Sequence, residues 1–358
     1  MMNRLWKRIA VFAVVLVVTV GVMVQVAAAQ GITPYPGIIY ISTDAAGMTD
    51  DGVPYDAYDI VGRIPYLNGG SPTTNDAYAW FKLFDGEYYG LGNVHNINGF
   101  SIEWAEIGPC GGIVADCVSP YPVGTPLDNV EALYLSFDFT ARHVPGIPDK
   151  VRGQDIVVLH PNDITPSVVT DGDFEVYFDG SDVGLSTISE KIDALDVWTA
   201  DMVPSDVSFP EDCAAGLIFV STQGNYRVPT PGGSLVGDGS DILMFCATNL
   251  GNDTAGFWFR GFDGSDLSVT PKHAITGIDI VELLPVDPYG QVDEEPAELI
   301  FGFIARQAFT ADYAVGGPSE LFAADYTGFI DGPADDFNGT WPALNGTATG
   351  LSLGDIGN

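Results

Sequence analysis

The chain has 358 residues, and its 48 Asp and Glu against 13 Lys and Arg give a formal net charge of −35. This charge repels phosphate backbones and anionic lipid, which excludes nucleic acid and anionic membrane surfaces as partners. Hydrophobic residues at 46% and aromatic residues at 11% are enough to bury a core, which excludes a disordered acidic tail.

The first predicted element, residues 1–29, has the pattern of a secretory signal peptide. Arg4, Lys7 and Arg8 precede an apolar run over 9–24, and a small-residue cleavage site ends before Gln30. A membrane anchor is the alternative, although the run is slightly short for a bilayer span. The pattern predicts cleavage and a secreted or cell-envelope protein, with no membrane span in the mature chain.

Four short sequence patterns then recur in a fixed order, and internal repetition of this kind defines a fold. They are an apolar run, an acidic residue that opens a second apolar run, a Phe-Asp-Gly phrase, and an alternating run. The first repeat, about 38–110, reads IIYIST, DIVG, LFDG and INGFSI, and the second, about 132–201, reads ALYLSF, DIVVL, YFDG and IDALDV. The third, about 216–284, reads LIFVST, DILMF, GFDG and ITGIDI, and the fourth, about 298–356, reads LIFGFI, ELFAA, DFNG and ATGLSL. Residues 30–358 are therefore predicted to form a single repeat domain.

Each pattern predicts a β-strand, because the runs are short, rich in β-branched and aromatic residues, and bounded by Gly, Pro, Asp and Ser. The predicted fold is all-β, a four-bladed β-propeller-like ring of four-stranded antiparallel sheets. With the alternating run innermost in each sheet, the chain begins at a second strand and ends at an innermost one. The C-terminal strand, 348–353, would then complete the first sheet and close the ring. The alternative is an open row of β-sandwich modules.

The segments YFDGSDVGL, IDALDV, LIFVST and GDGSDILMF together resemble repeats of secreted bacterial proteins of the β-propeller type. The resemblance covers about residues 38–356, and its first and last copies, FDGEYYGL and FNGTWPAL, depart from the pattern. It implies an extracellular or envelope setting, and it brings no catalytic residues with it.

The repetition favours a structural role for the Phe-Asp-Gly phrase, since a phrase used in every repeat is expected to build every repeat. Asp-Gly after a strand is a turn signal, and the aromatic residue before it can pack between sheets. We therefore expect core phenylalanines and turn aspartates at Phe84, Asp85, Phe178, Asp179, Phe262 and Asp263.

Calcium binding is the alternative interpretation of the same turns, because Gly-rich loops with carboxylates provide the hard oxygen ligands that Ca²⁺ prefers. The candidate ligands are Asp179, Asp182, Asp263, Asp266, Asp238 and Asp241. The sequence lacks an EF-hand loop with its glutamate at the twelfth position, so any such site would be of another kind.

Four cysteines follow the export signal, and an oxidising compartment predicts two disulfides rather than free thiols or a zinc site. Cys213 and Cys246 flank two runs that should pair as an antiparallel hairpin, which would bring their sulfurs together. Cys110 and Cys117 would close a small surface loop between repeats.

The sequence assigns no catalytic residue. It contains no G-x-S-x-G elbow, no H-E-x-x-H helix and no Walker loop. The histidines His95, His143, His160 and His273 lack metal-ligand spacing, and each is expected to be a loop or surface residue.

The favoured function is therefore a secreted or cell-surface binding or scaffold protein without catalytic activity, with calcium as a candidate stabiliser. Its partner would be an unknown extracellular ligand or protein, and the long loop 103–131 is the expected place of specialisation. The alternative is a secreted propeller hydrolase acting on sugars or phosphate esters, although propeller folds host many functions. A purely structural matrix component made rigid by Ca²⁺ is the third hypothesis.

Overall fold

The computed structural model describes residues 39–49, 52–65, 78–104, 127, 130–138, 143–161, 174–202, 213–267, 269–283, 298–305, 309–310, 315–316, 320–326 and 337–345. The chain divides into two compact units, Met1–Gly37 with Leu283–Ala297, and Ile38–Glu282 with Glu298–Asn358. Apart from Leu283, all described residues belong to the second unit. The signal peptide at 1–29 lies outside the described residues and stays a prediction, as does the single domain over 30–358.

The described chain consists of 21 strands, grouped in sequence order into four main sheets with small hairpins between their strands. Sheet 1 and its hairpin comprise β1 (Ile39–Ser42), β2 (Gly47–Met48), β3 (Pro54–Tyr55), β4 (Ile60–Pro65) and β5 (Tyr78–Phe84). Sheet 2 comprises β6 (Ile97–Trp104), β7 (Val130–Phe137), β8 (Ile156–Leu159) and β9 (Phe174–Phe178). Sheet 3 and its hairpin comprise β10 (Ile192–Trp198), β11 (Gly216–Thr222), β12 (Tyr226–Thr230), β13 (Gly233–Gly237), β14 (Ile242–Asn249) and β15 (Ala255–Phe262). Sheet 4 and its hairpin comprise β16 (Ile275–Leu283), β17 (Glu298–Ala305), β18 (Phe309–Thr310), β19 (Val315–Gly316), β20 (Glu320–Tyr326) and β21 (Phe337–Asn345).

The strand orders are β1-β4-β5, β6-β7-β8-β9, β10-β11-β14-β15 and β16-β17-β20-β21. We call β6, β10 and β16 the leading strands, because each comes first in the chain among the strands of its sheet and forms one edge of that sheet. The all-β class and the order of strands within sheets 2, 3 and 4 are confirmed. The strand predicted to complete sheet 1, at 348–353, lies outside the described residues, so closure into a four-bladed ring stays a prediction.

Three small hairpins were missed by the sequence interpretation: β2–β3, β12–β13 and β18–β19. Each lies between the first and second strands of its repeat, in sheets 1, 3 and 4. The β12–β13 hairpin has a visible sequence signal, because Pro-Gly separates two five-residue runs that alternate around Val228 and Leu235. The repeat patterns mark only the main sheets, so they do not report these insertions.

Sheets 1 and 2 pack through one apolar cluster. Ile60 and Phe84 of sheet 1 are fully buried in it, as are Leu133, Leu135 and Phe137 of β7. The β7 residues are two positions apart, so they project from one face of their strand.

The opposite face of sheet 2 packs against sheet 3. Tyr134 and Phe178 of sheet 2 share a second cluster with Val220, Phe245 and Trp258 of sheet 3. Sheet 2 is therefore covered on both faces, which explains why β7 and β8 are apolar almost throughout instead of alternating.

A repeated backbone hydrogen bond fastens each leading strand to the sheet before it. The N–H of Ile97 donates to the carbonyl of Ala57, and the N–H of Ile192 donates to that of Gly153, both over 2.9 Å. Ile275 makes the matching bond to Gly239 over 2.7 Å. Successive sheets therefore have the same attachment at three places along the chain.

Within these described ranges, no helix has the length and hydropathy needed to cross a lipid bilayer.

Candidate functional site

The aspartate that opens the second apolar run in each of the first three repeats is a clamp, not a free acid. Asp59, Asp155 and Asp241 each accept the N–H of the glycine in the Phe-Asp-Gly phrase, over 3.0, 3.2 and 3.1 Å. The other carboxylate oxygen of each accepts the N–H of the residue three positions earlier, over 2.8, 2.7 and 3.2 Å. All three aspartates are buried, so these bonds satisfy groups that would otherwise be costly to bury.

The glycine of the phrase is required because the chain passes very close to it. A Cβ placed on Gly86, Gly180 or Gly264 would lie within 3.0 Å of a backbone carbonyl oxygen of the neighbouring segment. That carbonyl belongs in each case to the residue just before the clamp aspartate. The phenylalanines are fully buried, so Phe-Asp-Gly supplies a core side chain, a turn carboxylate and a close contact.

The aspartates proposed as calcium ligands are engaged in turns. Oδ1 of Asp179, Asp238 and Asp263 each accepts both the N–H and the hydroxyl of the serine two residues later, over 2.6 to 3.1 Å. These are the local turn bonds expected of Asp.

The remaining calcium candidates do not gather into one site. Asp241 is a clamp residue, Asp182 lies in a short 3₁₀ turn at 180–183, and the Asp266 side chain is outside the described residues. In the part that the structure describes, no group of three or more His, Cys, Asp or Glu side chains could hold a metal. Calcium at these turns stays a prediction.

The three clamp aspartates differ in their cationic neighbours. Lys82 Nζ lies 2.7 Å from Asp59 Oδ2, and Arg260 occupies the matching register on β15, where it pairs with Asp263. In sheet 2 the matching residue is Val176. Burial raises the pKa of Asp155 to about 6, despite two backbone N–H donors. Burial also raises the pKa of Asp241, although Arg260 lies close to it.

The histidines were expected to be loop or surface residues, and all four lie outside the strands. His143 and His160 are exposed, but His95 and His273 are buried just before a leading strand. Nδ1 of His95 accepts the N–H of Gly92 over 2.9 Å, and Nδ1 of His273 accepts that of Thr270 over 3.0 Å.

Sheet 3 uses a carboxylate at the matching position. Glu190 Oε2 accepts the N–H of Thr187, again three residues earlier, over 2.7 Å. His95, Glu190 and His273 therefore each accept a backbone N–H of a turn inside the protein. The sequence analysis missed this shared position because His and Glu form no obvious sequence pattern.

The predicted bridge between Cys213 and Cys246 is confirmed, with the two Cα atoms 4.9 Å apart. Cys246 lies on β14, whose pairing with β11 brings the two cysteines to the same end of the hairpin. Cys110 and Cys117 lie outside the described residues, so their bridge stays a prediction.

The leading strands carry a side-chain ladder that joins neighbouring sheets. Ser101, Asp196 and Asp279 occupy the same position in β6, β10 and β16, four residues after the isoleucine that opens each strand. Ser101 Oγ donates to Asp196 Oδ1 over 2.9 Å and accepts the N–H of Val197 over 3.1 Å. Asp196 Oδ2 accepts the N–H of Ile280 over 3.0 Å. Ser101 and Asp196 therefore each accept the N–H of the residue that follows their counterpart in the next leading strand. We call Ser101, Asp196 and Asp279 the leading-strand ladder.

The two carboxyls of the ladder hold protons more tightly than ordinary aspartates. Loss of hydration, with the charge of Asp279 second, raises the pKa of Asp196 to about 7. Loss of hydration also raises the pKa of Asp279, although part of that residue is accessible to solvent.

A second set of hydrogen-bonded polar side chains lies beside the ladder, between sheets 2 and 3. Glu103 accepts the Tyr134 hydroxyl over 2.6 Å and the Thr199 hydroxyl over 3.2 Å. Tyr177 packs edge-on against Tyr134, with ring centroids 4.6 Å apart. Burial raises the pKa of both tyrosines, so they act as neutral donors and not as bases.

The ladder was missed at the level of sequence, although its signal was present. Superposing INGFSI, IDALDV and ITGIDI places Ser101, Asp196 and Asp279 in one column. The candidate calcium ligands were instead taken from the DGSD turns, where aspartates lie closer together in the sequence. In the sequence, an aspartate that faces the next sheet can be distinguished from an aspartate in a turn only by its position within the alternating pattern of a strand.

Compared with known proteins, the chain matches no family model and no curated protein. The resemblance to secreted β-propeller repeats therefore stays a prediction that rests on the repeated segments alone.

Proposed function

We propose that this chain is a secreted or cell-surface binding or scaffold protein without catalytic activity. The observation that carries the proposal is the identical use of repeated polar residues in successive sheets. Clamp aspartates, turn aspartates and buried caps all bind backbone N–H groups, so the repeat is a construction unit and not a reactive one. The disulfide between Cys213 and Cys246 supports an oxidising, extracellular setting.

The proposal includes closure of the four sheets into a propeller-like ring. The leading-strand ladder supports this, because Ser352 occupies the matching position in the fourth alternating run, ATGLSL. Continued by the same rule, Asp279 would accept the N–H of Leu353, and Ser352 would accept that of Ile102. Two further rungs would then return the ladder to β6, and the ring would present its leading strands to a central groove for a ligand.

Ring closure predicts a specific cross-strand pair. Ser101 lies opposite Tyr134 and Asp196 lies opposite Phe219, so the repeat registers place Ser352 opposite Tyr40 of β1. In a chain carrying Tyr40→Cys and Ser352→Cys, mild oxidation is expected to form the new disulfide in most molecules, because opposed Cβ atoms lie about 4.5–5.5 Å apart. Peptide mass spectrometry measures the yield.

The control for this cross-link moves one cysteine out of register, with Tyr40→Cys and Gly350→Cys in the same chain. Gly350 is two residues from the paired position, so its cysteine should link poorly. Equal yields from the two chains, or no link in either, would contradict closure by the C-terminal strand and favour the open row of sheets.

The function is tested by binding and turnover measured on the same purified mature chain. We expect saturable association with cells of the producing organism and no hydrolysis of a panel of nitrophenyl glycosides and phosphate esters. A chain lacking 110–117 should bind less if the long loop makes the contact, and Gly232→Ala serves as the folded control. Melting with and without EGTA tests calcium, and an unchanged melting temperature would remove calcium from the proposal.

A hydrolase acting on sugars or phosphate esters is the second candidate. The observation that favours it is the pair Asp196 and Asp279 on adjacent leading strands, both with raised pKa values. A protonated carboxyl beside a carboxylate is the arrangement that general acid–base hydrolysis uses. Turnover that disappears in Asp196→Asn would establish this candidate over the first.

A further inference from the structure

The β12–β13 hairpin has a strand edge, on β13, that pairs with no other described strand. Its two strands are joined by the two-residue turn 231–232, and Thr230 pairs with Gly233 beside that turn. In a hairpin of this kind the pair next to the turn exchanges backbone hydrogen bonds, and every second pair after it does the same. The backbone groups of Ser234 and Val236 therefore point away from β12, toward the free side of β13.

Two hydrogen bonds agree with this direction of the backbone groups. The N–H of Arg227, which pairs with Val236 across the hairpin, leaves β12 on the outer side and donates to Glu190 Oε1 over 3.0 Å. The Val236 carbonyl accepts Arg260 Nη2 over 2.7 Å, and a carbonyl oxygen can accept a second donor. Among the described residues, no acceptor is bonded to the N–H of Ser234 or of Val236.

The last strand of each main sheet is protected against pairing with another chain, and β13 is not. Charged residues occur in β5, β9 and β15, namely Lys82, Glu175 and Arg260, and β21 contains Pro342. A charge or a proline on an edge strand opposes the addition of a further strand. The sequence of β13, GSLVG, contains neither, whereas β12 on the other side of the hairpin contains Pro229.

The hairpin also lies in the longest acid-free run after the predicted signal peptide. Residues 213–237 contain no Asp or Glu, although the chain has 48 of them, and Arg227 is the charged residue of the hairpin. Two copies of a chain with a net charge of −35 repel each other, and this repulsion is weakest where acids are absent. Val236 adds apolar surface here, because it is 48% exposed. The free edge of β13 therefore suits a second copy of the same chain.

We propose that β13 pairs antiparallel with β13 of a second copy, so that two hairpins form one four-stranded sheet across a two-fold axis. An axis at Leu235 sets Ser234 of each copy opposite Val236 of the other, and each of these pairs can exchange two backbone hydrogen bonds. The same surface is used on both copies, so the assembly stops at a dimer. The inference does not depend on ring closure or on the proposed binding function.

Sedimentation velocity of the full mature chain at physiological salt tests the dimer. Two five-residue strands bury little area, so we expect a weak monomer–dimer equilibrium with a Kd of roughly 10–100 μM. A chain that remains monomeric up to about 500 μM would overturn the proposal, because the edge would then be left for a different partner.

A proline at Val236 separates strand pairing from other contacts. Val236→Pro removes an N–H that the hairpin itself does not use, and an edge strand tolerates proline at such a position. We expect the Kd for the dimer to rise at least about tenfold, which corresponds to the loss of a few weak hydrogen bonds, with the melting temperature unchanged. Val236→Ala is the matched control, because it also removes apolar surface but keeps the N–H, and it should still dimerise. Equal dimerisation of the two variants would contradict pairing through the β13 edge.

A single cysteine tests the register with the backbone left intact. In Leu235→Cys the two-fold axis would place the two Cβ atoms about 4.5–5.5 Å apart, so mild oxidation should link most of the dimer covalently. Gly232→Cys is the control, because the same pairing separates its two copies by six residues, about 20 Å, and it should link poorly. No covalent dimer from Leu235→Cys, or equal yields from the two variants, would overturn the proposed pairing.

Discussion

Replacing Gly180 by alanine is expected to destabilise the protein by about 3 kcal/mol, because the new methyl group would overlap a backbone carbonyl. The Cβ would lie within 3.0 Å of the Gln154 oxygen. Neither segment can move away cheaply, since the Gly180 N–H donates to Asp155 and its carbonyl accepts the N–H of Leu185 over 2.8 Å. Urea unfolding at neutral pH measures the loss.

The matched control for this variant is Gly232→Ala. Gly232 lies in the turn of the β12–β13 hairpin, and a Cβ there would meet no heavy atom within 4 Å. We expect its free energy of unfolding to stay within about 0.5 kcal/mol of the wild type. A Gly180→Ala chain as stable as Gly232→Ala would show that the close approach is not a constraint, and that the phrase needs glycine for some other reason.

Truncating Phe178 to alanine is expected to cost about 3–5 kcal/mol, the usual range for a buried phenylalanine. Phe178 ends β9 and is fully buried against sheet 3, where its ring meets Phe245 at 5.2 Å and Trp258 at 6.1 Å between centroids. The cavity would therefore open between two sheets and not within one. Thermal and urea unfolding should both show the loss.

Ile188→Ala is the matched control for Phe178→Ala, because Ile188 is 75% exposed in the turn that leads to β10. Its removal should change the free energy of unfolding by no more than about 0.5 kcal/mol. If the Phe178 variant lost no more stability than the Ile188 variant, sheets 2 and 3 would not depend on each other for their cores.

Much of the strand architecture could be predicted from the sequence, because buried strands leave a strong apolar pattern. Runs such as LIFVST and DILMF became β11 and β14, and the strand order expected after IDALDV was found in sheet 3, where β10 forms one edge. The disulfide followed from the same reasoning, since pairing those two runs brings Cys213 and Cys246 together.

The candidate site could not be predicted in the same way, because polar residues take their roles from three-dimensional neighbours. His95 and His273 were expected to be loop or surface residues, and the sequence did not indicate that they are buried, where each accepts a backbone N–H three residues earlier. Asp196 and Asp279 were passed over among 48 acids. Only the approach of β10 to β6 and β16 distinguishes Asp196 from an ordinary surface aspartate.

The attachment of each leading strand to the preceding sheet bears on how such a chain could lengthen. Ile97, Ile192 and Ile275 each donate a backbone N–H to the segment beside a clamp aspartate, and no side chain takes part in that bond. A duplicated copy of one sheet could form the same backbone hydrogen bond to the sheet before it and to the sheet after it, whatever the sequence of its loops and surface. Gene duplication could therefore add or remove whole sheets, while sequence drift altered everything except the clamp aspartate and its glycine.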